Sequence, residues 1–212
     1  MGTKERRILE KQRRRAEILN AARRIFRENG FKNSTMPGIA KTLELAPGTL
    51  YLYFPSKETL YLELLLEGYD VLINKLRGAA ALPDSASDKA SVMIDVFLEF
   101  AHDSPEHFDV IFFMAQRESG SLRNSGFEGS QIEQIAAREN ECKRIIAAVI
   151  DGMSPDRGHT EGSGFNPDAE VVWSLLAGLV TFWRMETEDH RRTVTERAKD
   201  IILSYYSRHS QK

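Results

Sequence analysis

The sequence has few cysteines that could form the disulfides of a secreted domain, and no apolar segment long enough to anchor a chain in a membrane. It contains one cysteine, Cys142, in 212 residues, which excludes an intramolecular disulfide framework. The longest apolar stretch covers residues 171–183 and is too short to cross a bilayer. No apolar segment follows the basic first residues, as a signal peptide would require. We therefore expect a cytoplasmic protein with a reduced thiol and no membrane contact.

Patterns that carry catalysis or bind metal are also missing. We find no Ser–His–Asp constellation, no Gly-rich phosphate loop and no paired carboxylates, so nothing supports an enzyme. His102, Glu106 and His107 lie close in sequence, but their spacing is not a closed metal-binding pattern. We expect no catalytic residue, no metal and no cofactor. Alternation with a period of two is absent as well, which leaves an all-α fold.

The overall charge of −2 hides a strong asymmetry along the chain. Residues 1–57 contain 13 lysine or arginine residues and five acidic ones, whereas the remaining residues carry a net charge of −10. Such a distribution favours a polyanion-binding head on an acidic body. The alternative is a basic helix face that is merely solvated. The predicted helix pair next to the basic segment favours the polyanion-binding interpretation.

That pattern covers residues 35–57 and predicts two short helices joined by a tight turn. Thr35 is a suitable cap for the first helix, and Pro47 suits the first turn of the second. Leu50 and Phe54 are four residues apart and are expected to face the first helix. Small and hydrogen-bonding side chains then point outward. This arrangement suits a helix-turn-helix that enters a DNA major groove.

Apolar periodicity predicts about nine helices in the whole chain. The first is expected from about Gln12 to Asn29, with Gly30 as its C-terminal cap. Residues 1–15 are either a flexible arm or a frayed extension of that helix. The further helices are expected at residues 56–82, 88–102, 105–118, 131–153, 168–186 and 192–206.

Residues 16–65 resemble the DNA-binding domain of the tetracycline-repressor (TetR) family of bacterial transcription regulators. The resemblance is carried by Ile18-Leu-Asn-Ala-Ala-Arg-Arg-Ile-Phe, Gly30-Phe31, Thr35, Ile39-Ala40, Gly48-Thr49-Leu50-Tyr51, Tyr53-Phe54, Ser56-Lys57-Glu58 and Leu60. It implies a three-helix DNA-binding domain with a basic arm at residues 1–58. It also implies a helical ligand-binding and dimerisation domain at residues 59–212, and a homodimer whose third helices enter major grooves.

The resemblance also assigns roles to single residues. Lys57 matches the family's phosphate-contacting lysine, and Tyr53 stands where the family has a His or Tyr that bonds a phosphate. Tyr51 either contacts bases or packs as a structural aromatic. The full set of expected DNA-binding residues is Thr35, Pro47, Gly48, Thr49, Tyr51, Tyr53 and Lys57.

Four positions depart from the family pattern. Pro37, Gly38 and Pro47 replace residues that are often polar or basic, and Ala46 replaces a capping serine. Few long polar side chains are then left to read bases. We expect specificity to depend on thymine-methyl contacts, on Tyr51 and on DNA shape sensed by the basic arm.

The expected body is rich in aromatic residues, each of which either fills a plain core or lines a ligand cavity. The candidates for ligand binding are Phe97, Phe100, Phe108, Phe112 and Trp173. Their apolar character favours a hydrophobic or aromatic inducer. The helix at 168–186 is apolar nearly all round, so it is either a dimer interface or a core helix of a monomer. The expected interface residues are Val172, Leu176, Leu179, Trp183 and Ile202.

Together these features predict a ligand-responsive, DNA-binding transcription regulator. Its expected partners are a palindromic double-stranded operator, a small apolar inducer and a second copy of the chain, with no membrane among them. We expect a repressor that the inducer releases from DNA. The competing hypothesis is a helical small-molecule carrier or protein-interaction module with a degenerate DNA-binding head.

Overall fold

The computed structural model describes residues 2–114, 127–153, 166–183 and 186–208. These residues form nine α-helices, one π-helical turn at Val110–Met114 and no strand, which confirms the all-α prediction. None of the described helices is long and apolar enough to cross a membrane. The helices are α1 Thr3–Asn33, α2 Met36–Thr42, α3 Pro47–Tyr53, α4 Lys57–Ala80, α5 Ala86–Asp103, α6 Pro105–Asp109, α7 Gly129–Met153, α8 Pro167–Trp183 and α9 Glu188–Arg208.

Helix α1 begins at Thr3, nine residues before the expected start, so the basic segment is helical. Its exposed Arg–Glu pairs at i, i+4 explain this: Arg6 contacts Glu10 at 3.3 Å, and Arg13 makes a similar pair. Gly30 interrupts α1 with φ 77° and ψ 160°. Residues with a side chain rarely adopt this backbone conformation. The helix therefore breaks at Gly30, as predicted, and a further turn continues to Asn33.

The short helices α2 and α3 begin where the sequence predicts. The Thr35 hydroxyl accepts a hydrogen bond from the Gly38 amide at 3.1 Å, and Pro47 opens α3. Ala46 provides no side-chain cap to α3, as its substitution for serine implies. Ser56 caps α4 by accepting a bond from the Thr59 amide at 3.1 Å.

The chain divides into two compact units. The first comprises Met1–Gly68 and Pro105–Ala136, so it extends beyond the expected head at residues 1–58. The reason is that the part of α4 up to Gly68 and the π-helical turn pack on α1. The Tyr61 hydroxyl donates to the Val110 carbonyl at 2.9 Å, and Phe127 stacks on Phe31 at 6.1 Å between ring centroids.

The second unit comprises Tyr69–Ser104 and Ala137–Lys212. Within it, α5 packs against α8 and α9. Phe97 meets Trp173 edge to face at 5.6 Å between ring centroids, and Lys199 pairs with Asp95 at 2.5 Å. Its core is therefore built by apolar side chains from several helices, with ion pairs joining them at the margin.

Candidate nucleic-acid interface

Helix α3 presents one face to solvent. Tyr51 is 47% exposed and Leu52 is 81% exposed, and Pro47 and Gly48 lie on the same side. A Cβ atom added to Gly48 would meet nothing within 4 Å. Leu52 was missing from the predicted set, although its position four residues after Gly48 places both on one helical face. The exposed surface is thus small, apolar and aromatic.

The opposite face of α3 is fixed in the core. Leu50 and Phe54 have no exposed surface, as the sequence predicts, and Ile39 of the neighbouring α2 is equally buried. Thr49 and Tyr53 are half-buried at the margins. The helix-turn-helix is therefore held by packing, which leaves the α3 surface residues without a structural role inside the unit.

Arg15 of α1 makes three contacts, two of them at the end of α3. Its guanidinium lies 4.5 Å from the centroid of the Phe54 ring and donates to the Tyr53 carbonyl at 3.4 Å. It also forms an ion pair with Glu63 of α4. Burial raises the pKa of the Glu63 carboxyl, and the attraction of Arg15 only partly offsets this effect. Sequence reasoning missed Arg15 because its partners lie far away in the chain.

Lys57 has partners inside the protein. Its ammonium group donates to the carbonyls of Phe31 at 2.7 Å and Ser34 at 3.0 Å, and lies 4.3 Å from the centroid of the Phe31 ring. These contacts explain a lysine at the first position of α4, where the helix dipole disfavours a cation. The side chain connects the α1–α2 junction to α4. Its predicted phosphate contact stays a prediction.

A polar network joins α1, α4 and α6 within the first unit. The buried Arg23 donates to Glu67 at 2.7 Å, and the ring of His107 approaches the same carboxylate at 3.6 Å. The nearby His107 ring is the largest cause of a lowered pKa at Glu67, and the Arg23 guanidinium lowers it further. Arg27 and Glu106 add an exposed ion pair at 2.9 Å. These contacts fix α1, and with it the helix-turn-helix, against the rest of the first unit.

The expected ligand-binding residues are all buried, but they belong to different units. Phe108 and Phe112 stack at 4.4 Å between ring centroids in the first unit. Phe97, Phe100 and Trp173 belong to the second. The second unit also contains a small apolar cavity of about 20 Å³, which none of the five residues lines. The lining includes Ala90, Met93, Ile146, Met153, Val172, Leu176, Ile202 and Tyr206.

The predicted dimer interface stays a prediction, but three of its five residues are already buried within the single chain. Val172, Leu176 and Ile202 lie in the core of the chain itself. Because α8 is apolar nearly all round, the sequence did not reveal which side faces inward. Of the other two, Leu179 lines an open groove of about 380 Å³ between α8 and α9, and Trp183 is half-buried. The large apolar residues exposed on these helices are Val171, Leu175, Phe182, Ile201 and Tyr205.

Comparison with known proteins gives a family match over the part of the chain that contains the helix-turn-helix. Residues 18–64 match the model for bacterial regulatory proteins of the tetR family. The regulator UidR of Escherichia coli K12 is 44% identical over 68 residues, which cover 32% of this chain. The match to UidR spans only 35% of the length of that protein.

A second relative matches along most of the chain. The fatty acid metabolism regulator protein of Bacillus subtilis strain 168 is 31% identical over 178 residues, covering 82% of this chain and 85% of that protein. The structure of the regulator FadR from Bacillus subtilis in complex with stearoyl-CoA shares the fold, with a TM-score of 0.66 and 18% identity. The structural match covers 92% of this chain and 98% of the FadR chain. Because identity and coverage extend well past the helix-turn-helix, this chain belongs to the tetR family of bacterial regulatory proteins.

Proposed function

We propose that this protein is a ligand-responsive, DNA-binding transcription regulator that acts as a repressor. The observation that carries this proposal is the exposed face of α3. It presents Pro47, Gly48, Tyr51 and Leu52 to solvent, while Arg15 and the core hold the helix from behind. A rigid helix with an unused apolar and aromatic face suits contact with base edges and thymine methyl groups in a major groove.

The surrounding groups supply affinity without sequence information. Thr35 is exposed at the start of α2, where its hydroxyl and nearby backbone amides suit a phosphate. Tyr53 is the last residue of α3 and offers a phenolic hydroxyl. Lys57 keeps its internal hydrogen bonds and adds positive charge near the same surface. Gly48 allows the helix axis to approach the DNA closely.

The proposed active form is a homodimer. One seven-residue helix reads few base pairs, whereas two copies bound one helical turn apart, about 34–36 Å, read a palindrome. The exposed apolar groove between α8 and α9 supports such a pairing, because Leu175 and Ile201 line it and stay largely exposed in one chain. Burial of these residues against a second copy removes an exposed apolar patch.

The proposed inducer is hydrophobic, with an extended hydrocarbon chain favoured over an aromatic compound. The cavity of the second unit has an apolar lining apart from the phenol of Tyr206, which suits a hydrocarbon chain. At about 20 Å³ it is too small for such a ligand as it stands. Met93 and Met153 line it, and their flexible side chains can rearrange to enlarge it. The FadR structure with stearoyl-CoA suggests long-chain acyl-CoA thioesters as the first compounds to test.

The first experiment selects DNA with the full-length protein from a random-sequence duplex pool. We expect enrichment of a palindrome, bound with an affinity that falls steeply with salt. Failure to enrich any sequence would contradict the regulator proposal and favour a carrier with a degenerate head. Stearoyl-CoA is then added to the complex, with free coenzyme A as the control. Release by stearoyl-CoA alone supports an inducible repressor, whereas tighter binding would refute the repressor assignment.

A further inference from the structure

We propose that the N-terminal part of α1 is a second DNA-contacting element, which binds the phosphate backbone beside the bases that α3 contacts. The element comprises residues 3–15 and is called the α1 extension below. The proposal rests on the proposed function, because it adds contacts to the same duplex. The sequence led us to expect a basic arm that senses DNA shape, whereas the present proposal assigns a helical segment contacts with phosphates.

The α1 extension borders a groove of about 510 Å³ in the first unit. The last residue of α3 lies in the wall of this groove, so the groove is continuous with the proposed DNA-binding face. A duplex seated on α3 therefore passes next to the extension. The groove is lined by Arg7, Glu10, Lys11, Arg13, Arg14, Glu17 and Tyr53.

The cations of the groove are spaced for successive phosphates. Arg7, Lys11 and Arg14 follow one another at i, i+4 and i+7, which places them on one face of the helix. With a rise of 1.5 Å per residue, Arg7 and Arg14 are about 10 Å apart along the helix axis. Measured along the duplex axis, that length equals the rise of about three base pairs of B-DNA. The long side chains of the three cations can then each reach a different phosphate.

These cations can also contact phosphates at a small cost in free energy, because few existing ion pairs have to break. Within the described part of the chain, neither Arg7 nor Lys11 takes part in an ion pair. Arg14 shares Glu17 with Arg13, at 2.8 Å and 3.1 Å respectively. Exposed pairs of this kind contribute about 0–1 kcal/mol, so exchange of Glu17 for a phosphate costs little. The extension is already helical, which limits the entropy lost on binding.

Its composition favours DNA over a membrane surface. The extension carries two large apolar residues, Ile8 and Leu9, which are 50% and 47% exposed. Two adjacent residues do not form the broad apolar face of a membrane-binding helix. Net positive charge beside the proposed recognition helix is instead complementary to a polyanion that lies along both elements.

The experiment compares three variants of the full-length protein on the duplex that the wild type selects. The test variant carries Arg7→Gln, Lys11→Gln and Arg14→Gln. The matched control carries Arg138→Gln, Arg144→Gln and Arg192→Gln, which remove three exposed, ion-paired cations from the second unit. A third variant preserves charge with Arg7→Lys, Lys11→Arg and Arg14→Lys. Affinity is measured by fluorescence anisotropy over a range of KCl concentrations, and thermal unfolding checks each fold.

We expect the test variant to have a shallower salt dependence. Each lost phosphate contact changes the slope of log K against log[salt] by about 0.9, so six contacts in a dimer change it by about 5. The control and the charge-preserving variant should keep the wild-type slope. A change of less than about 2 in the test variant would overturn the inference and leave the regulator proposal intact. If the wild type selects no duplex, both proposals fail.

Discussion

The internal contacts of Lys57 predict a large loss of stability when its ammonium group is removed. The substitution Lys57→Met retains most of the aliphatic stem and deletes the charged end. Two hydrogen bonds are lost, to the Phe31 and Ser34 carbonyls, together with the contact over the Phe31 ring. The Phe31 carbonyl keeps a bond from the Ser34 amide at 3.3 Å, so the unpaired group is mainly the Ser34 carbonyl.

The expected magnitude follows from these contacts. A hydrogen bond to a charged group contributes about 1.5–3 kcal/mol, and a cation over an aromatic ring contributes about 0.5–1 kcal/mol when partly exposed. Because the contributions of neighbouring contacts are not additive, we expect the free energy of unfolding to fall by about 2–4 kcal/mol. The melting temperature of a chain of this size should fall by roughly 5–15 °C.

The assay is urea unfolding at neutral pH, followed by circular dichroism. Lys41→Met is the matched control, since Lys41 is exposed on α2 and should change stability by less than about 0.5 kcal/mol. A Lys57→Met protein as stable as the control would refute a structural role. A stability loss with an unchanged salt slope of DNA binding would show that Lys57 acts through the fold and not through a phosphate.

Three further predictions concern other parts of the chain. Gly30→Ala forces a side chain into φ 77°, ψ 160°, so it should reduce the free energy of unfolding by about 1–3 kcal/mol, whereas Gly78→Ala in α4 should raise it by about 0.5–1 kcal/mol. Burial raises the pKa of the Cys142 thiol to about 12, so iodoacetamide at pH 8 should alkylate it only after unfolding, and rapid labelling of the folded protein would contradict the buried placement. Leu175→Asp on the exposed side of α8 should convert the proposed dimer to monomers in sedimentation velocity, while Ile8→Asp should not; an unchanged dimer would place the interface elsewhere.

Local signals in the sequence predicted the helix-turn-helix well. Thr35, Pro47 and Ser56 act within a few residues of their own position, through capping or a fixed φ. Their helix boundaries were therefore accessible from spacing alone. Leu50 and Phe54 were also placed correctly, because only one side of a two-turn helix can meet α2.

Features that depend on distant partners were not accessible. Lys57 donates to carbonyls 26 and 23 residues earlier in the chain, and Arg15 pairs with Glu63 across 48 residues. The face of α8 was also ambiguous, since apolar residues surround nearly the whole helix and only packing selects Val172 and Leu176 for the core. The sequence shows which residues surround a helix. When most of them are apolar, only the tertiary contacts determine which side of the helix faces the core.

The most direct test of the central claim removes the exposed ring of α3. Tyr51→Ala is compared with wild type by fluorescence anisotropy on the selected palindrome and on a scrambled duplex of the same length. Since Tyr51 is proposed to contact bases, specific affinity should fall by about 5- to 150-fold, which corresponds to roughly 1–3 kcal/mol. Binding to the scrambled duplex should stay the same, because phosphate contacts dominate it. An unchanged ratio of the two affinities would contradict the assignment of α3 as the element that reads the operator.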